Sequence, residues 1–283
     1  MLKSRFSRWG KVSLVGMAAT GALLLAACSG GGAAAEGGGG EAAAAPDNSD
    51  IKICVYTHGD GGTFWAVAQK GAEDAAKTLG VTLDYQGSTN DASKQASTIE
   101  AGVQGGCSGI AASAPDPGAI TGAMKAAEDA GIPMVTINSG SAVFKDLGAF
   151  TQVGQDEIVA GREAGEKFNE LGVKEILCPI QEAANSGLTD RCKGAKETFS
   201  GEVIDFNADQ ALADLTGAEA KIRAALEADA SIDAVFALNA DVATGAVLPA
   251  VQAVGRDIKI GTVDLSSDAL DAIEAGDLEF GID

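Results

Sequence analysis

The feature that most restricts the fold is a regular alternation of two apolar patterns from residue 51 to the last residue. Short runs rich in β-branched and small apolar residues indicate strands, and longer runs of helical period separate them. We predict strands at 51–58, 81–87, 109–114, 133–139, 151–154, 175–180, 202–206, 234–239, 258–264 and 278–282. We predict helices at 64–79, 93–104, 117–130, 157–171, 190–199, 215–228, 243–254 and 267–275. Strict alternation of this kind is typical of doubly wound α/β sheets.

The predicted strands form two groups, which a loop at 140–150 separates. Two lobes suit them better than one very long sheet, because open sheets usually have about four to six strands. We therefore predict an N-terminal lobe over 51–150 and a C-terminal lobe over 151–283, each with a doubly wound parallel sheet. Ligands of such sheets bind beyond the carboxyl ends of the strands. We expect the ligand site in the cleft between the lobes.

The first fifty residues have a different composition. Four basic residues within the first eleven precede sixteen uncharged, mostly apolar residues at 12–27. That stretch is shorter than the ~20 residues of a membrane-spanning helix, and residues 1–27 are typical of an export signal. The Leu-Ala-Ala-Cys sequence ending at Cys28 resembles the lipobox of bacterial lipoproteins, which implies cleavage before Cys28 and its lipidation. An ordinary secretory cleavage site that precedes a cysteine is the alternative.

The segment after the cysteine is rich in Gly and Ala and lacks periodic apolar positions, so residues 28–50 are predicted to be a lipidated flexible linker. Together with the lipobox, this linker predicts an extracytoplasmic protein that an N-terminal lipid anchors to the bacterial cell membrane. The expected body is a monomer held near the membrane and free to reorient.

Acidic residues outnumber basic residues two to one. Forty Asp and Glu against twenty Lys and Arg give a net charge of −20, and removal of residues 1–27 would take away four basic residues and leave −24. Nucleic-acid binding needs clustered Lys and Arg, so the charge argues against a nucleic-acid partner. An anionic membrane surface would also repel this chain, so membrane attachment is expected to depend on the lipid.

Four cysteines remain if Cys28 carries a lipid, and an exported protein can form disulfides. We predict a Cys178–Cys192 bridge, because Cys178 lies in a predicted strand and Cys192 in the first turn of the helix expected to return beside it. Cys54 and Cys107, on neighbouring strands, form either a second bridge or two buried thiols. With one His and no Cys-x-x-Cys motif, we expect no metal site and no cofactor.

Aromatic and polar residues follow the carboxyl ends of the predicted strands. After the first strand come His58, turn glycines, Thr63 as a predicted N-cap and the adjacent pair Phe64 and Trp65. Neighbouring helical residues point about 100° apart, so a core position for both rings is unfavourable, and we predict that both stack on a sugar ring. Later strands end at Asn138 and Ser139, Asn185 and Ser186, Asn239 to Asp241, and Asp264. Such side chains can chelate adjacent hydroxyls.

From Ile51 onwards the chain resembles sugar-binding receptors of ABC transporters, with the periplasmic-binding-protein-like fold of the ribose-binding type. The resemblance is carried by Phe64-Trp65 and by the segments GIAASAPDPGAI, GIPMVTINS, QDEIVAGREAGE, RCKG, AVFALNAD and IGTVD. It implies two lobes joined by a hinge, a monosaccharide or related polyol held between them, and ABC permease subunits as partners. Phe64 and Trp65 match the family's stacking pair, Arg191 its hydroxyl-binding arginine, and Asn239 and Asp264 its hydrogen-bonding residues of the second lobe.

The sequence departs from the family pattern at two adjacent positions. Asn138 stands at the place of a family aspartate, and Ser139 at that of an arginine often next to it. These changes remove a charged pair from one wall of the site, which disfavours ribose itself. We expect Asn138 to remain a ligand-binding residue, with His58 and Asp60 as weaker candidates that replace lost contacts.

The resemblance also predicts more chain than the sequence contains. In the family, the strand matching 278–282 is followed by a ligand-binding glutamine, a crossover, a long helix and a closing strand of the first lobe. Because the chain stops at Asp283, we expect it to be part of a longer protein, with the C-terminal part of the first lobe missing.

Catalysis is not expected. Hydrolytic triads usually need a histidine, of which His58 is the single example, and no Gly-x-Ser-x-Gly motif occurs. The sequence therefore predicts a binding protein that delivers its ligand to an ABC importer. A receptor lipoprotein that senses a small polar ligand and docks on a membrane sensor is the alternative.

Overall fold

The computed structural model describes residues 47–283. The predicted signal peptide at 1–27, the lipidation site Cys28 and almost all of the predicted linker at 28–50 lie outside these residues. The described part contains two parallel sheets of five strands each, both flanked by helices. The predicted fold of two α/β lobes is therefore confirmed.

The first lobe has a sheet of five strands and three helices. Its strands are β1 (Asn48–Thr57), β2 (Val81–Gly87), β3 (Gly109–Ser113), β4 (Met134–Ile137) and β5 (Thr151–Val153), and its helices are α1 (Gly62–Leu79), α2 (Ala92–Gln104) and α3 (Pro117–Asp129). The strand order is β2-β1-β3-β4-β5, and every pair is parallel. Because β1 lies between β2 and β3, the loop that follows β1 opens at the point where the order reverses.

The second lobe repeats this arrangement. Its strands are β6 (Glu175–Ile180), β7 (Glu202–Asn207), β8 (Ala234–Ala237), β9 (Lys259–Val263) and β10 (Phe280–Ile282), in the order β10-β9-β8-β6-β7. Its helices are α4 (Glu157–Leu171), α5 (Ser186–Thr198), α6 (Leu215–Ala228), α7 (Ala240–Val242), a π-helical turn (Ala243–Val247), α8 (Leu248–Val254) and α9 (Ser267–Ala275). β6 lies between β7 and β8, so the loop after β6 occupies the equivalent reversal point.

Two strand positions differ from the sequence-based expectation. β5, which we grouped with the second lobe, pairs with β4 and closes the first sheet, with Val135 opposite Thr151 and Ile137 opposite Val153. A strand of three residues carries too little pattern to indicate which sheet edge it joins. β1 begins at Asn48 rather than at Ile51, because the polar start of the strand pairs through its backbone with Val81.

The core of the second lobe shows why its strands have continuous apolar sequences. Ala234 and Phe236 of β8 pack with α4 and α5 on one face, whereas Val235 and Ala237 pack with α6 to α9 on the other. All four residues are fully buried. Successive side chains of a strand alternate between faces, so a sheet covered on both sides requires apolar residues at every position.

Two glycines bring α4 and α5 close together. A Cβ atom on Gly161 would lie 2.1 Å from the Arg191 carbonyl oxygen, and one on Gly194 would lie 2.2 Å from that of Ile158. Any larger residue would push the helices apart. The contact places the start of α4, at Glu157, beside Arg191 of α5.

Two disulfides tie helices and loops to the sheets. Cys178 of β6 is bonded to Cys192 of α5, with 6.1 Å between their Cα atoms, and Cys54 of β1 is bonded to Cys107 before β3, with a Cα separation of 5.9 Å. Cys192 lies in the second turn of α5 rather than the first, because the helix already begins at Ser186. The first bridge fixes α5 one residue from Arg191.

Candidate ligand-binding site

A cavity lies between the carboxyl ends of the two sheets. The empty space among its lining residues is about 490 Å³, which includes space open to solvent. The structure brings together here the six residues that the sequence singled out most strongly, together with His58: they are Phe64, Trp65, Asn138, Arg191, Asn239 and Asp264. The cavity thus receives side chains from both lobes.

Asp60 does not belong to this cavity. Its side chain is exposed, and its Oδ2 accepts a hydrogen bond of 2.9 Å from the Thr89 hydroxyl. The Asp60 Cβ packs against Gly87 at the end of β2, where a Cβ on the glycine would lie 2.2 Å away. The turn after His58 therefore directs Asp60 toward the edge of the sheet and away from the other predicted ligand-binding residues.

Phe64 and Trp65 form a corner at the start of α1. Their ring centroids lie 4.9 Å apart and their planes are perpendicular, and the Trp65 indole makes a second edge contact with the His58 ring at 5.0 Å. Trp65 is only 7% exposed, whereas Phe64 is half-buried. Because the planes are perpendicular, the two rings cannot lie flat on the same ligand face. One ring can stack on a ligand while the other borders its edge.

The start of α1 also contacts the second lobe. The backbone N–H of Thr63 and its hydroxyl each donate a hydrogen bond of 2.8 Å to the carboxylate of Asp241 in α7. Thr63 is therefore not the N-cap we expected: the helix begins at Gly62, after Gly61. Gly62 has a φ of +82°, and a Cβ there would lie 2.7 Å from the Asp241 Oδ2, so glycine is required for this close approach.

Arg191 is buried in a bidentate ion pair with Glu157. Its Nε lies 2.5 Å from the Glu157 Oε2 and its Nη2 3.2 Å from the Oε1, while Nη1 donates to the Leu238 carbonyl. Burial by itself would lower the pKa of Arg191, but the charge and hydrogen bonds of Glu157 outweigh burial and raise it. A guanidinium has five N–H groups, so two remain for a ligand. The sequence predicted the arginine and missed its carboxylate partner.

Asn239 and Asp264 follow neighbouring strands of the second lobe. The Asn239 side chain caps α7 by accepting from the Asp241 N–H at 2.9 Å, and its Nδ2 donates to the Asp264 Oδ2 at 3.3 Å. Asp264 has a left-handed backbone conformation with φ +66°, as does Asn138 with φ +57°. Non-glycine residues held in this region are often found at ligand sites. Both residues therefore leave their strands through a backbone conformation that is unusual for residues other than glycine.

Burial is the main reason that the pKa of Asp264 lies above its ordinary value. Arg191 lowers it and the charge of Glu157 raises it further, and the net direction is upward. Arg191 and the Asn239 amide thus offset only part of the effect of burial on Asp264. A ligand hydroxyl that donates to Asp264 would stabilise the carboxylate further.

His58 contacts residues of both lobes at the edge of the cavity. Its Nδ1 lies 2.8 Å from the Ser113 hydroxyl, and its Nε2 lies 3.4 Å from the Oε2 of Glu182 in the second lobe. Asn185 donates to the same Glu182 oxygen at 2.7 Å. Burial raises the pKa of Glu182, but the interactions with His58 and Asn185 outweigh burial, so its pKa is lowered. Glu182 therefore stays ionised at neutral pH.

Three further polar or charged lining residues were not predicted: Glu157, Gln181 and Glu182. Gln181 and Glu182 come directly after β6, so the rule that ligands bind beyond strand ends could have found them. Glu157 opens a helix, and its place beside Arg191 depends on the contact between α4 and α5.

The sequence profile of the periplasmic binding protein domain matches residues 53–283. The chain belongs to the periplasmic binding protein family. Members of this family bind substrates rather than transform them, and they act outside the cytoplasm. Within residues 47–283, no helix has the length and apolar character that crossing a bilayer requires.

Other proteins are similar to this chain over most of their length. A candidate rhizopine-binding protein from Rhizobium meliloti is 31% identical over 240 residues, which are 77% of this chain and 74% of that protein. The ribose import binding protein of Bacillus subtilis is 28% identical over 213 residues, with 75% and 68% covered. A carbohydrate transporter from Acidothermus cellulolyticus, solved with myo-inositol, superimposes with a TM-score of 0.78 at 38% identity and covers 84% of this chain and 81% of its own.

Proposed function

We propose that this periplasmic binding protein captures a small cyclic polyol or monosaccharide between its lobes and delivers it to the permease of an ABC importer. The observation that carries the proposal is the cavity itself, in which an aromatic corner from the first lobe faces directional polar side chains from the second. Apolar walls with a few convergent polar groups are the usual construction of a small-molecule site.

The chemistry of the two walls fits a polyol. The C–H face of a sugar or cyclitol ring can stack on one ring of the Phe64 and Trp65 corner. Its hydroxyls can donate to Asp264 and accept from the free N–H groups of Arg191. The known relative solved with myo-inositol, at 38% identity, supports a cyclic polyol as the ligand.

The charges of the cavity argue against an anionic ligand. Four carboxylates line it, those of Glu157, Glu182, Asp241 and Asp264, and the single guanidinium is already paired with Glu157. A sugar acid or sugar phosphate would bring a further negative charge into a poorly solvated space, at a large electrostatic cost. The favoured ligand is therefore uncharged.

Closure of the lobes is the proposed mechanism. The lobes are joined by the Thr63–Asp241 bonds, by the His58–Glu182 contact, and by Ser186, whose N–H and hydroxyl donate to the Pro115 carbonyl at 3.1 and 3.0 Å. A ligand that contacts both walls binds the closed form more tightly than the open form, and this difference shifts the population toward closure. The permease would recognise the closed surface.

Membrane attachment is the second part of the proposal. Lipidation at Cys28 would hold the monomeric body at the outer face of the membrane, within reach of the permease. Mass spectrometry of the protein from its own membrane should find an acylated N-terminal Cys28. An unmodified chain starting elsewhere would contradict the lipoprotein assignment, and co-purification with a membrane sensor instead of permease subunits would contradict the importer role.

Calorimetry on the mature protein tests the ligand class. We expect myo-inositol, D-ribose, xylitol and D-glucose to include at least one tight binder, with D-glucuronate much weaker than D-glucose. Amino acids and nucleosides serve as controls. Binding of an amino acid with no response to any sugar or polyol would overturn the proposal.

A further inference from the structure

The loop after β6 buries an amide that the fold leaves without a partner. Gln181 is 3% exposed, and its Oε1 is shielded from solvent without accepting a hydrogen bond from the described part of the chain. Tyr85 and Ser88 are the other described residues with such an atom, and only Gln181 lines the cavity. Folding rarely leaves a buried acceptor unpaired, because desolvating it costs free energy that a hydrogen bond normally offsets.

The backbone carbonyls of Ile180 and Gln181 are both hydrogen-bonded, which fixes the point at which the Gln181 side chain leaves the chain. The carbonyl of Ile180 accepts from the Ala208 N–H at 3.0 Å, and that of Gln181 accepts from the Gln210 N–H at 3.0 Å. The residue thus leaves the end of β6 in a defined direction toward the cavity. An unpaired group on a rigid support is typical of a preorganised binding contact.

A second buried glutamine shows what a structural amide looks like in this fold. Gln95 of α2 is 1% exposed, and its Nε2 donates to the carbonyl of Ser113 at 2.7 Å and to that of Tyr56 at 3.3 Å. Gln95 ties a helix to two strands. Gln181 has the same side chain and similar burial, but it lines the cavity and its Oε1 has no hydrogen-bond partner among the described residues.

We propose that Gln181 is a ligand-binding residue whose Oε1 accepts a hydrogen bond from a hydroxyl of the bound polyol. The proposal rests on the function proposed above. It adds a third ligand contact from the second lobe, at a sequence position separate from Arg191 and Asp264. In this orientation of the amide, Oε1 can pair only with a donor, and a hydroxyl of a polyol supplies one.

Replacement of Gln181 by Met tests the contact, because methionine preserves length and flexibility and removes both amide atoms. We expect the Kd for the tightest binder among myo-inositol, D-ribose, xylitol and D-glucose to rise about tenfold, the range for loss of a buried hydrogen bond. The unfolding temperature without ligand should not fall below the wild-type value, because the amide oxygen has no partner to lose. Gln95→Met should lower that temperature, and the exposed Gln252→Met should change neither quantity.

Deoxy analogues of the same ligand identify the partner hydroxyl. One analogue should bind the wild-type protein more weakly and lose nothing further in the Gln181→Met variant, so that the two changes are not additive. Unchanged affinity of Gln181→Met, or additivity with every analogue, would overturn the contact while leaving the proposed function intact. Absence of binding by the wild-type protein to all four ligands would overturn both.

Discussion

The two walls of the cavity differ in chemistry. The first lobe contributes rings and uncharged groups, from His58, Phe64, Trp65 and Asn138, whereas the second lobe contributes nearly all the charge, with Glu157, Glu182, Arg191 and Asp264 among its side chains. The first wall can define the shape of a ligand, and the second can define the positions of its hydroxyls. Under the proposed closure mechanism, one lobe would hold a ring weakly until the other closed on its hydroxyls.

The charged wall should matter most for stability, and Glu157→Ala tests this. Removing the carboxylate leaves Arg191 buried with no opposite charge at bonding distance, so we expect the free energy of unfolding to fall by about 3–5 kcal/mol. Urea denaturation measures the change. In contrast, Glu197→Ala breaks the half-exposed pair with Arg162 and should cost about 1 kcal/mol or less.

Equal losses in these two variants would show that burial of the Arg191 pair has no special effect. A double variant, Glu157→Leu with Arg191→Met, sharpens the test. Its stability should recover toward the wild-type value, because apolar residues often replace a buried ion pair without loss. Its ligand binding should not recover, because the free N–H groups of Arg191 are gone.

The aromatic wall should matter for binding more than for stability. Phe64→Ala is the cleaner substitution, because Trp65 is almost completely buried and its loss would also leave a void. We expect ligand binding to weaken by about 1–3 kcal/mol if the phenyl ring contacts the ligand. Calorimetry with the most tightly bound polyol measures the change in affinity. Phe150→Ala, which removes a ring that is 70% exposed, is the control. Binding unchanged in Phe64→Ala would limit the ligand contact to Trp65.

The difference between the walls also explains what the sequence could predict. Strand–helix alternation and the rule for strand ends located Asn138, Asn239 and Asp264, because their positions follow from local pattern and topology. Glu157 was missed because its role depends on two helices meeting at Gly161 and Gly194, a contact between distant segments.

Asp60 and β5 show the same limit on a smaller scale. The loop after β1 sends residues two positions apart in different directions, so His58 reaches the cavity and Asp60 does not. The strand pattern of residues 151–153 gives their conformation, but the sheet they join depends on pairing with β4. The sequence pattern thus predicted the helices and strands, but it did not predict the direction of a loop side chain or the sheet that a short strand joins, because both depend on tertiary packing.

The charged wall should also give the unliganded protein a characteristic pH dependence. Because burial raises the pKa of Asp264, the folded state is disfavoured at neutral pH relative to an unfolded chain in which this carboxylate ionises freely. Asp264→Asn removes that penalty, so we expect a higher unfolding temperature at pH 7. The gain should shrink as the pH falls and vanish below about pH 4, where unfolded aspartates are protonated too.

The test is to measure the unfolding temperatures of the wild-type protein and Asp264→Asn from pH 4 to pH 8, with Asp271→Asn, at an exposed position, as the control. Polyol binding should weaken in Asp264→Asn, because a carboxylate that accepts from hydroxyls becomes a neutral amide. A variant less stable than the wild-type protein at pH 7 would show that the ionised form of Asp264 is stabilised in the fold. The protein itself would then offset the cost of burying the Asp264 charge, without a contribution from the ligand.

The smallest effect is expected where the two walls meet, at the Thr63–Asp241 contact. Thr63→Val keeps the backbone N–H bond to Asp241 and the branched shape of the side chain, and it removes the hydroxyl bond of 2.8 Å. Loss of one partly exposed hydrogen bond should weaken closure, and hence ligand affinity, by about 0.5–1.5 kcal/mol. Thr121→Val removes a hydroxyl bond within α3, far from the cavity, and should leave the Kd unchanged.

Small-angle scattering provides a second measurement of the same contact. Without ligand, Thr63→Val should have a larger average radius of gyration than the wild-type protein if the bond holds the lobes together. Wild-type affinity and radius in that variant would mean that closure depends on the ligand and on the remaining contacts between the lobes, and not on this bond.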